Sequence, residues 1–146
     1  MRAVIDTSVL LDLQMVSRPR HPAAAPLIDL IRSGQIEALA PFHSLFEMTA
    51  AIKNQKFSSA VQFNATIGWK NPLRVQYVPV DQSFFDKYFT LDVPYAKAGD
   101  LLFLLLARGE KVPLITEDEA LRKKAIDAGI EAYGSKEFLE NHFRKQ

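Results

Sequence analysis

The stretch AVIDTSVLL, residues 3–11, indicates both the fold and the site, because it places an acidic residue at the end of an apolar run. Residues 3–5 have the character of a short buried strand, and residues 8–13 continue as a brief helix. Asp6 therefore lies where a strand stops. Its carboxylate either caps the helix that follows or reaches a ligand, and the rest of the sequence is needed to choose between these interpretations.

The composition indicates a soluble single domain that spans residues 1–146. The chain is 48% hydrophobic and 24% charged, and its formal net charge of +1 gives no overall basic field that would indicate nucleic acid. The lack of cysteine excludes disulfides and thiolate metal sites. The longest apolar run, residues 101–107, is too short to cross a bilayer. We therefore expect a cytoplasmic protein that does not enter a membrane.

Predicted strands and helices alternate along the whole chain. Strands are predicted at 3–5, 36–39, 75–80 and 112–116, with another short strand before the last helix. Helices are predicted at 8–13, 26–33, 41–54 (opened by Pro41), 58–67, 81–88, 100–108 and 119–128, with a terminal helix after them. Such alternation is typical of a parallel sheet covered by helices on both faces, so the fold class is an α/β sandwich.

Two acids follow predicted strands that are far apart in the sequence. Asp6 follows the first strand directly, and Asp118 follows the strand at 112–116 by two residues. Ligands of parallel sheets gather outside the carboxyl ends of the strands. We therefore expect Asp6 and Asp118 to face one crevice.

Two further acids lie in strongly apolar surroundings. Asp100 begins a helix that continues as LLFLLLA, and a helix that is apolar on every side is buried. Glu47 lies within HSLFEMTAA, between Phe46 and Met48. A carboxylate in such company is costly unless it is paired or binds a metal.

Each of these acids also has an ordinary structural interpretation. Asp6 or Asp100 would serve as a helix N-cap, and Glu47 would lie on a solvated helix face. Thr116 to Glu119 fit the S/T-x-x-E capping box, which would make Thr116 the cap and Asp118 a favourable charge near the helix start. Taken together, however, four acids beside buried segments favour a shared site.

Several carboxylates remain ionised side by side only when a cation offsets their repulsion. Carboxylate oxygens favour a hard cation, Mg²⁺ or Mn²⁺. Zinc is disfavoured because the chain has no cysteine and because His21, His43 and His142 show no ligand spacing.

The segments AVIDTSVLL, FHSLFEMTAAI, KAGDLLFLLLA and PLITEDEAL resemble, in this order, the four acidic motifs of the PIN-domain ribonucleases. The chain is most similar to the VapC-type toxins of prokaryotic toxin–antitoxin pairs. The resemblance implies a three-layer α/β/α sandwich, with a parallel five-stranded sheet and a metal site at its carboxyl edge. The matching positions are Asp6, Glu47, Asp100 and Asp118 for the acidic quartet, Thr116 for the hydroxyl before the last acid, and Thr7 with Ser8 for the polar pair after the first.

The function implied by this resemblance is metal-dependent hydrolysis of RNA phosphodiester bonds by an endoribonuclease. Asp6, Asp100 and Asp118 would hold Mg²⁺ or Mn²⁺, with Glu47 completing the shell or orienting water. The resemblance also implies a homodimer and an antitoxin protein as partner. Three alternatives stay open: a non-catalytic RNA- or protein-binding module, a housekeeping RNA-processing nuclease, and a haloacid dehalogenase-like phosphatase. The phosphatase is disfavoured because Ser8 stands where that family has a second aspartate.

Basic and aromatic residues provide candidate contacts with partners. The residues that would track an RNA backbone are Arg18, Arg20, Lys53, Lys56, Lys97, Arg122 and Lys123. The segment SFFDKYF predicts a helical stripe of Phe84, Phe85, Tyr88 and Phe89. Core packing is the favoured role for this stripe, with part of it left for a dimer or an antitoxin groove.

Overall fold

In the computed structural model, which describes residues 1–54 and 73–143, five short strands form one parallel sheet. The strands are β1 (Arg2–Ile5), β2 (Glu37–Pro41), β3 (Gln76–Val78), β4 (Leu114–Ile115) and β5 (Ala132–Tyr133). Their order across the sheet is β3–β2–β1–β4–β5. The central strand β1 pairs with both neighbours in register, since Val4 lies opposite Leu39 of β2 and Leu114 of β4.

Helices cover both faces of this sheet, which confirms the predicted three-layer α/β/α sandwich. In the described part of the chain they are α1 (Thr7–Gln14), α2 (His21–Ala24), α3 (Pro26–Arg32), α4 (Ser44–Asn54), α5 (Gln82–Tyr88), α6 (Ala98–Glu110), α7 (Glu119–Asp127) and α8 (Ser135–His142). Successive strand residues point to opposite faces, so Ala3 and Ile5 pack with α1, α3, α4 and α8, whereas Val4 packs with α5, α6 and α7.

Helix α6 packs against the face of the sheet that carries Val4. Residues 103–107 are buried throughout, as expected for an apolar helix, whereas Leu101 and Leu102 near its start are partly exposed. The helix is longer than the predicted 100–108, because Ala98 and Gly99 belong to its first turn. Within the described residues, no helix has both the length and the apolar character needed to span a membrane.

Several predicted boundaries are corrected by the structure. Pro41 ends β2 instead of opening a helix, because the ladder continues through it and the Phe42 N–H donates to the Val78 carbonyl at 2.7 Å. Helix α4 consequently begins at Ser44, and its described part extends to Asn54. The helices before Gly34 and Gly129 stop where predicted, and both glycines adopt the left-handed conformation. The helix predicted at 58–67 and the contact proposed for Lys56 lie outside the described residues.

Candidate functional site

The carboxyl ends of β1 and β4 place Asp6 and Thr116 next to each other. The Asp6 N–H donates to the Ile115 carbonyl at 2.9 Å, and the Thr116 N–H donates to the Tyr133 carbonyl at 2.9 Å. The residues that follow the two strands are therefore fixed by the sheet ladder itself. The first acid and the hydroxyl residue that precedes the last acid thus lie at the same edge of the sheet.

Asp6 is buried and is held by two hydroxyl groups. Its Oδ2 accepts hydrogen bonds from Ser8 Oγ at 2.8 Å and from Thr116 Oγ1 at 2.7 Å. Burial raises the pKa of this carboxyl, the hydrogen bonds from Thr116 and Ser8 lower it in part, and the charge of Glu47 raises it further. Although Asp6 occupies the N-cap position of α1, its side chain makes no capping hydrogen bond. The capping interpretation of this side chain is therefore wrong.

Thr116 links the first acid to the last one. Its fully buried hydroxyl donates to Asp6 and accepts from the Asp118 N–H at 3.0 Å. Asp118 caps α7, since its Oδ1 accepts from the Leu121 N–H at 3.0 Å. The capping box centred on Thr116 is thus wrong, because the Thr116 hydroxyl oxygen accepts from the Asp118 N–H and Asp118 itself is the N-cap of α7.

Glu47 in α4 is tethered at the same edge, although its side chain is 38% exposed. Its Oε2 accepts from Thr7 Oγ1 at 2.5 Å, and its Oε1 lies 3.3 Å from Nε2 of His43. The neighbouring His43 lowers the pKa of the Glu47 carboxyl, and the Thr7 hydrogen bond adds to this effect against burial. The alternative of a freely solvated glutamate is wrong, because two side chains fix the carboxylate.

Gly99 allows the Glu47 carboxylate to approach the first turn of α6. A Cβ at position 99 would lie only 2.5 Å from Glu47 Oε1 and 3.4 Å from His43 Nε2. A residue with a Cβ at this position would have to move the end of the Glu47 side chain. The glycine in the KAGD motif therefore lets this carboxylate lie against the first turn of α6.

Asp100 lies in the first turn of α6, directly after Gly99. Lys97 holds the N-cap position of this helix, so the interpretation of Asp100 as a cap is wrong. Burial raises the pKa of the Asp100 carboxyl, and the charges of Asp118 and Glu47 raise it further, whereas Lys124 and Lys97 lower it. The charges of Asp118 and Glu47 thus both repel the Asp100 carboxylate.

The four predicted acids therefore gather at one edge, but they do not form a ready set of ligands. Electrostatic interactions connect Glu47 with Asp6, and connect Asp100 with both Glu47 and Asp118. Within residues 1–54 and 73–143, no group of three or more His, Asp or Glu side chains is placed to hold a metal ion. The expectation that carboxylate oxygens of Asp6, Asp100 and Asp118 lie close enough to share a cation is not met. Three of the acids instead accept protein hydrogen bonds: Asp6, Glu47 and Asp118.

Three residues near the acids were missed by the sequence prediction. His43 lies four residues before Glu47, a helical spacing that could have indicated the contact. Gly99 had a local signal, since it directly precedes an acid within a helical pattern. Lys124 had none, because only the placement of α7 brings its charge near Asp100.

The basic residues that were predicted to contact RNA fall into two groups, those that lie near an acid of the protein and those that are exposed. The Arg18 Nε lies 2.5 Å from Oδ1 of the buried Asp12, so this guanidinium fixes the loop after α1. Arg122 lies 3.8 Å from Glu137. The side chains of Arg20, Lys53, Lys97 and Lys123 are exposed.

The predicted aromatic stripe also divides in two. Phe84 and Tyr88 are buried in the core, as favoured. Phe85 and Phe89 are 55% and 54% exposed and stack with ring centroids 4.6 Å apart. This pair lines an apolar groove of about 450 Å³ together with Leu101, Leu102 and Leu105.

Comparisons with known proteins agree with this architecture. The PIN domain family model matches residues 3–127. A comparison with curated protein sequences found no match.

Several solved structures share the fold. VapBC2 from Rickettsia felis, bound to a DNA fragment from its promoter, has a TM-score of 0.60 at 13% identity, over 90% of this chain and 97% of that chain. FitAcB from Neisseria gonorrhoeae has a TM-score of 0.59 at 14% identity, over 91% and 97%. VapC20 from Mycobacterium tuberculosis, a sarcin–ricin loop cleaving toxin, has a TM-score of 0.56 at 17% identity, over 82% and 92%.

Proposed function

Because the chain belongs to the PIN domain family, we propose that it is a Mg²⁺- or Mn²⁺-dependent endoribonuclease that acts as the toxin of a type II toxin–antitoxin pair. The observation that carries this proposal is the electrostatic coupling of Asp6, Glu47, Asp100 and Asp118 at the carboxyl edge of the sheet. Four acids converge there from four different elements. Repulsion between these carboxylates lowers the stability of the fold, and a bound cation would offset it.

The donor set fits a hard divalent cation in its chemistry. All four proposed ligands are carboxylates, and the raised pKa of both Asp6 and Asp100 means that a positive charge at this edge would relieve unfavourable interactions. We propose Asp6, Asp100 and Asp118 as the main ligands and Glu47 as the fourth. When bound, the cation supplies a lowered pKa for the attacking water and charge stabilisation for the leaving oxygen.

The remaining residues of the site hold these acids in place. Thr116 orients the Asp6 carboxylate and the backbone before α7, and we therefore assign it a positioning role in catalysis. Thr7 and His43 orient Glu47 in the same manner. Supporting hydrogen bonds of this kind fix the direction from which a carboxylate can serve a ligand.

Nuclease activity is tested with Asp6→Asn, which keeps the side-chain shape and the acceptor for Ser8 and Thr116 while removing a ligand charge. RNA cleavage in Mg²⁺ or Mn²⁺ should cease in this variant, and EDTA should abolish cleavage by the unaltered protein. Asp127→Asn is the matched control, because Asp127 is an exposed acid at the opposite end of α7. Full cleavage by Asp6→Asn, or by the unaltered protein in EDTA, would exclude the metal mechanism and leave the non-catalytic RNA- or protein-binding module.

The toxin role is supported by the similarity of the fold to that of VapC20, a sarcin–ricin loop cleaving toxin. It implies a cytoplasmic homodimer and an antitoxin whose arginine or lysine pairs with the acids. Expression of the isolated protein should slow growth, and Asp100→Ala should relieve this effect without loss of soluble protein, whereas Asp127→Ala should not. Normal growth in the presence of abundant active enzyme would favour a housekeeping RNA-processing nuclease.

A further inference from the structure

An exposed aromatic pair lies beside the acids, on the side of β2 and α4. Phe42 directly follows β2 at the carboxyl edge of the sheet and is 45% exposed. Phe46 precedes Glu47 in α4 and is 68% exposed. The two rings meet edge to face with centroids 6.1 Å apart and an interplanar angle of 64°. Neither ring belongs to either hydrophobic core cluster.

We propose that Phe42 and Phe46 form a stacking platform for an unpaired base of the RNA substrate, next to the bond that is cut. The proposal rests on the proposed nuclease function. It specifies the substrate as single-stranded RNA at this position, because only an unpaired base offers its face to an aromatic ring.

The surroundings of the pair favour a nucleic acid over a protein partner. Phe46 shares its exposed helix face with Ala50 and Lys53, which lie four and seven residues further along α4. His43, three residues before Phe46, and Glu47, directly after it, have their Nε2 and Oε1 atoms 3.3 Å apart. Within the described part of the chain, these neighbours of the pair are mostly polar or charged, which suits a base and its phosphate, whereas protein partners prefer continuous apolar patches.

The second exposed phenylalanine pair differs in just this respect. Phe85 and Phe89 stack face to face and line a groove with leucines of α6 on the other side of the sheet. The side chains that share this groove with the two rings are therefore mainly apolar. This makes Phe85 a suitable control, since its exposure is comparable while its surroundings are apolar.

The charges at the site fit a strand that crosses the acids. Lys53 lies on the exposed face of α4 that carries Phe46, and Lys97 and Lys124 lie near Asp100. A strand that runs from Phe46 past Asp100 would therefore meet a positive charge at both places. Such phosphate contacts position a strand without reading its sequence.

The test measures binding without cleavage, in the Asp6→Asn background and in EDTA, by fluorescence anisotropy of labelled oligoadenylate and oligouridylate. Adding Phe46→Ala should weaken binding about 5- to 150-fold, the loss that corresponds to one stacked base. The loss should be larger for oligoadenylate, because purines stack more strongly. Phe46→Trp should retain affinity, and Phe85→Ala should bind within about 2-fold of the parent.

Several outcomes would overturn the stacking platform. These are an unchanged affinity in Phe46→Ala, equal losses in Phe46→Ala and Phe85→Ala, and an absence of oligonucleotide binding by the parent. A change of oligomeric state in Phe46→Ala with unchanged RNA affinity, seen by size-exclusion chromatography, would assign the pair to a protein interface. If the unaltered protein fails to cleave RNA while the Phe46→Ala loss persists, the platform stands and the proposed catalysis is wrong.

Discussion

Thr116→Val isolates the hydroxyl that joins Asp6 to the backbone of Asp118. Valine has nearly the same shape as threonine, so the substitution removes two hydrogen bonds without opening a cavity. The bond that Thr116 donates to the Asp6 carboxylate has a length of 2.7 Å and is buried. Hydrogen bonds to charged groups contribute about 1.5–3 kcal/mol, and the Asp118 N–H also loses its acceptor. We therefore expect Thr116→Val to lower the free energy of unfolding by about 2–3 kcal/mol at neutral pH.

Thr116→Ser is the matched control, because it keeps the hydroxyl and removes only a buried methyl group. Its expected cost is about 1 kcal/mol. Both variants are compared by chemical denaturation in EDTA, and RNA cleavage in Mn²⁺ should follow the same order. Equal stability of the valine and serine variants would refute the proposed link between Asp6 and Asp118.

The penalty in Thr116→Val should also depend on pH in a defined direction. The Thr116 hydrogen bond lowers the pKa of the Asp6 carboxyl against the effect of burial, so its loss raises that pKa further. The difference from the unaltered protein should therefore be largest when Asp6 is ionised and should shrink as acid protonates it. A penalty that is constant across this pH range would mean that the hydroxyl does not act on the charge.

Three other predictions concern residues around the site and the scaffold. Gly99→Ala should weaken Mn²⁺ binding about 10-fold by calorimetry, since its Cβ would lie 2.5 Å from Glu47 Oε1, and a second change, Glu47→Asp, should restore part of the loss. Asp100→Asn should stabilise the protein in EDTA at neutral pH, because the raised pKa of Asp100 means that folding disfavours its charge. The gain in the free energy of unfolding should vanish at a pH below 3.8, the ordinary pKa of an aspartate. A variant that is less stable than the unaltered protein would contradict this prediction. Glu110→Gln should destabilise by about 1–2 kcal/mol at neutral pH, because Lys87, Tyr88 and Arg2 bind this carboxylate. These partners lower the pKa of Glu110 from 4.5 to about 2, so the difference between glutamate and glutamine in denaturation midpoints should persist above pH 4.5 and fade towards pH 2; a constant difference would argue against the charge.

The sheet and the positions of its terminal acids could be predicted because both depend on local signals. An apolar run that ends in an acid marks a strand end, and alternation with helices makes the strands parallel. Parallel strands in register then bring Asp6 and Thr116 together, whatever their separation in the sequence. These inferences need no knowledge of side-chain packing.

The details of the acids could not be predicted, because they depend on competition between partners from different elements. Thr116 fits a local capping box, but its hydroxyl donates to the buried Asp6 carboxylate and accepts from the Asp118 N–H, so Asp118 caps the helix instead. Pro41 fits the first turn of a helix equally well as the end of a strand. Only the pairing of β2 with β3 decides this choice. Contacts across elements therefore override signals that are satisfactory within one element.

The pKa values of Glu47 and Asp6 are shifted in opposite directions, for different reasons. Glu47 is held by His43 and Thr7, which favour its charged form, whereas burial disfavours the charge of Asp6. The site thus combines one carboxylate stabilised as an anion with others that repel their neighbours. Such an arrangement reduces stability, because neutral residues of similar size would pack at this edge without repulsion. A function explains these charges better than stability does. The repulsion is concentrated at the edge of the sheet where strands from distant parts of the sequence end. A ligand bound at this edge can contact several elements at once.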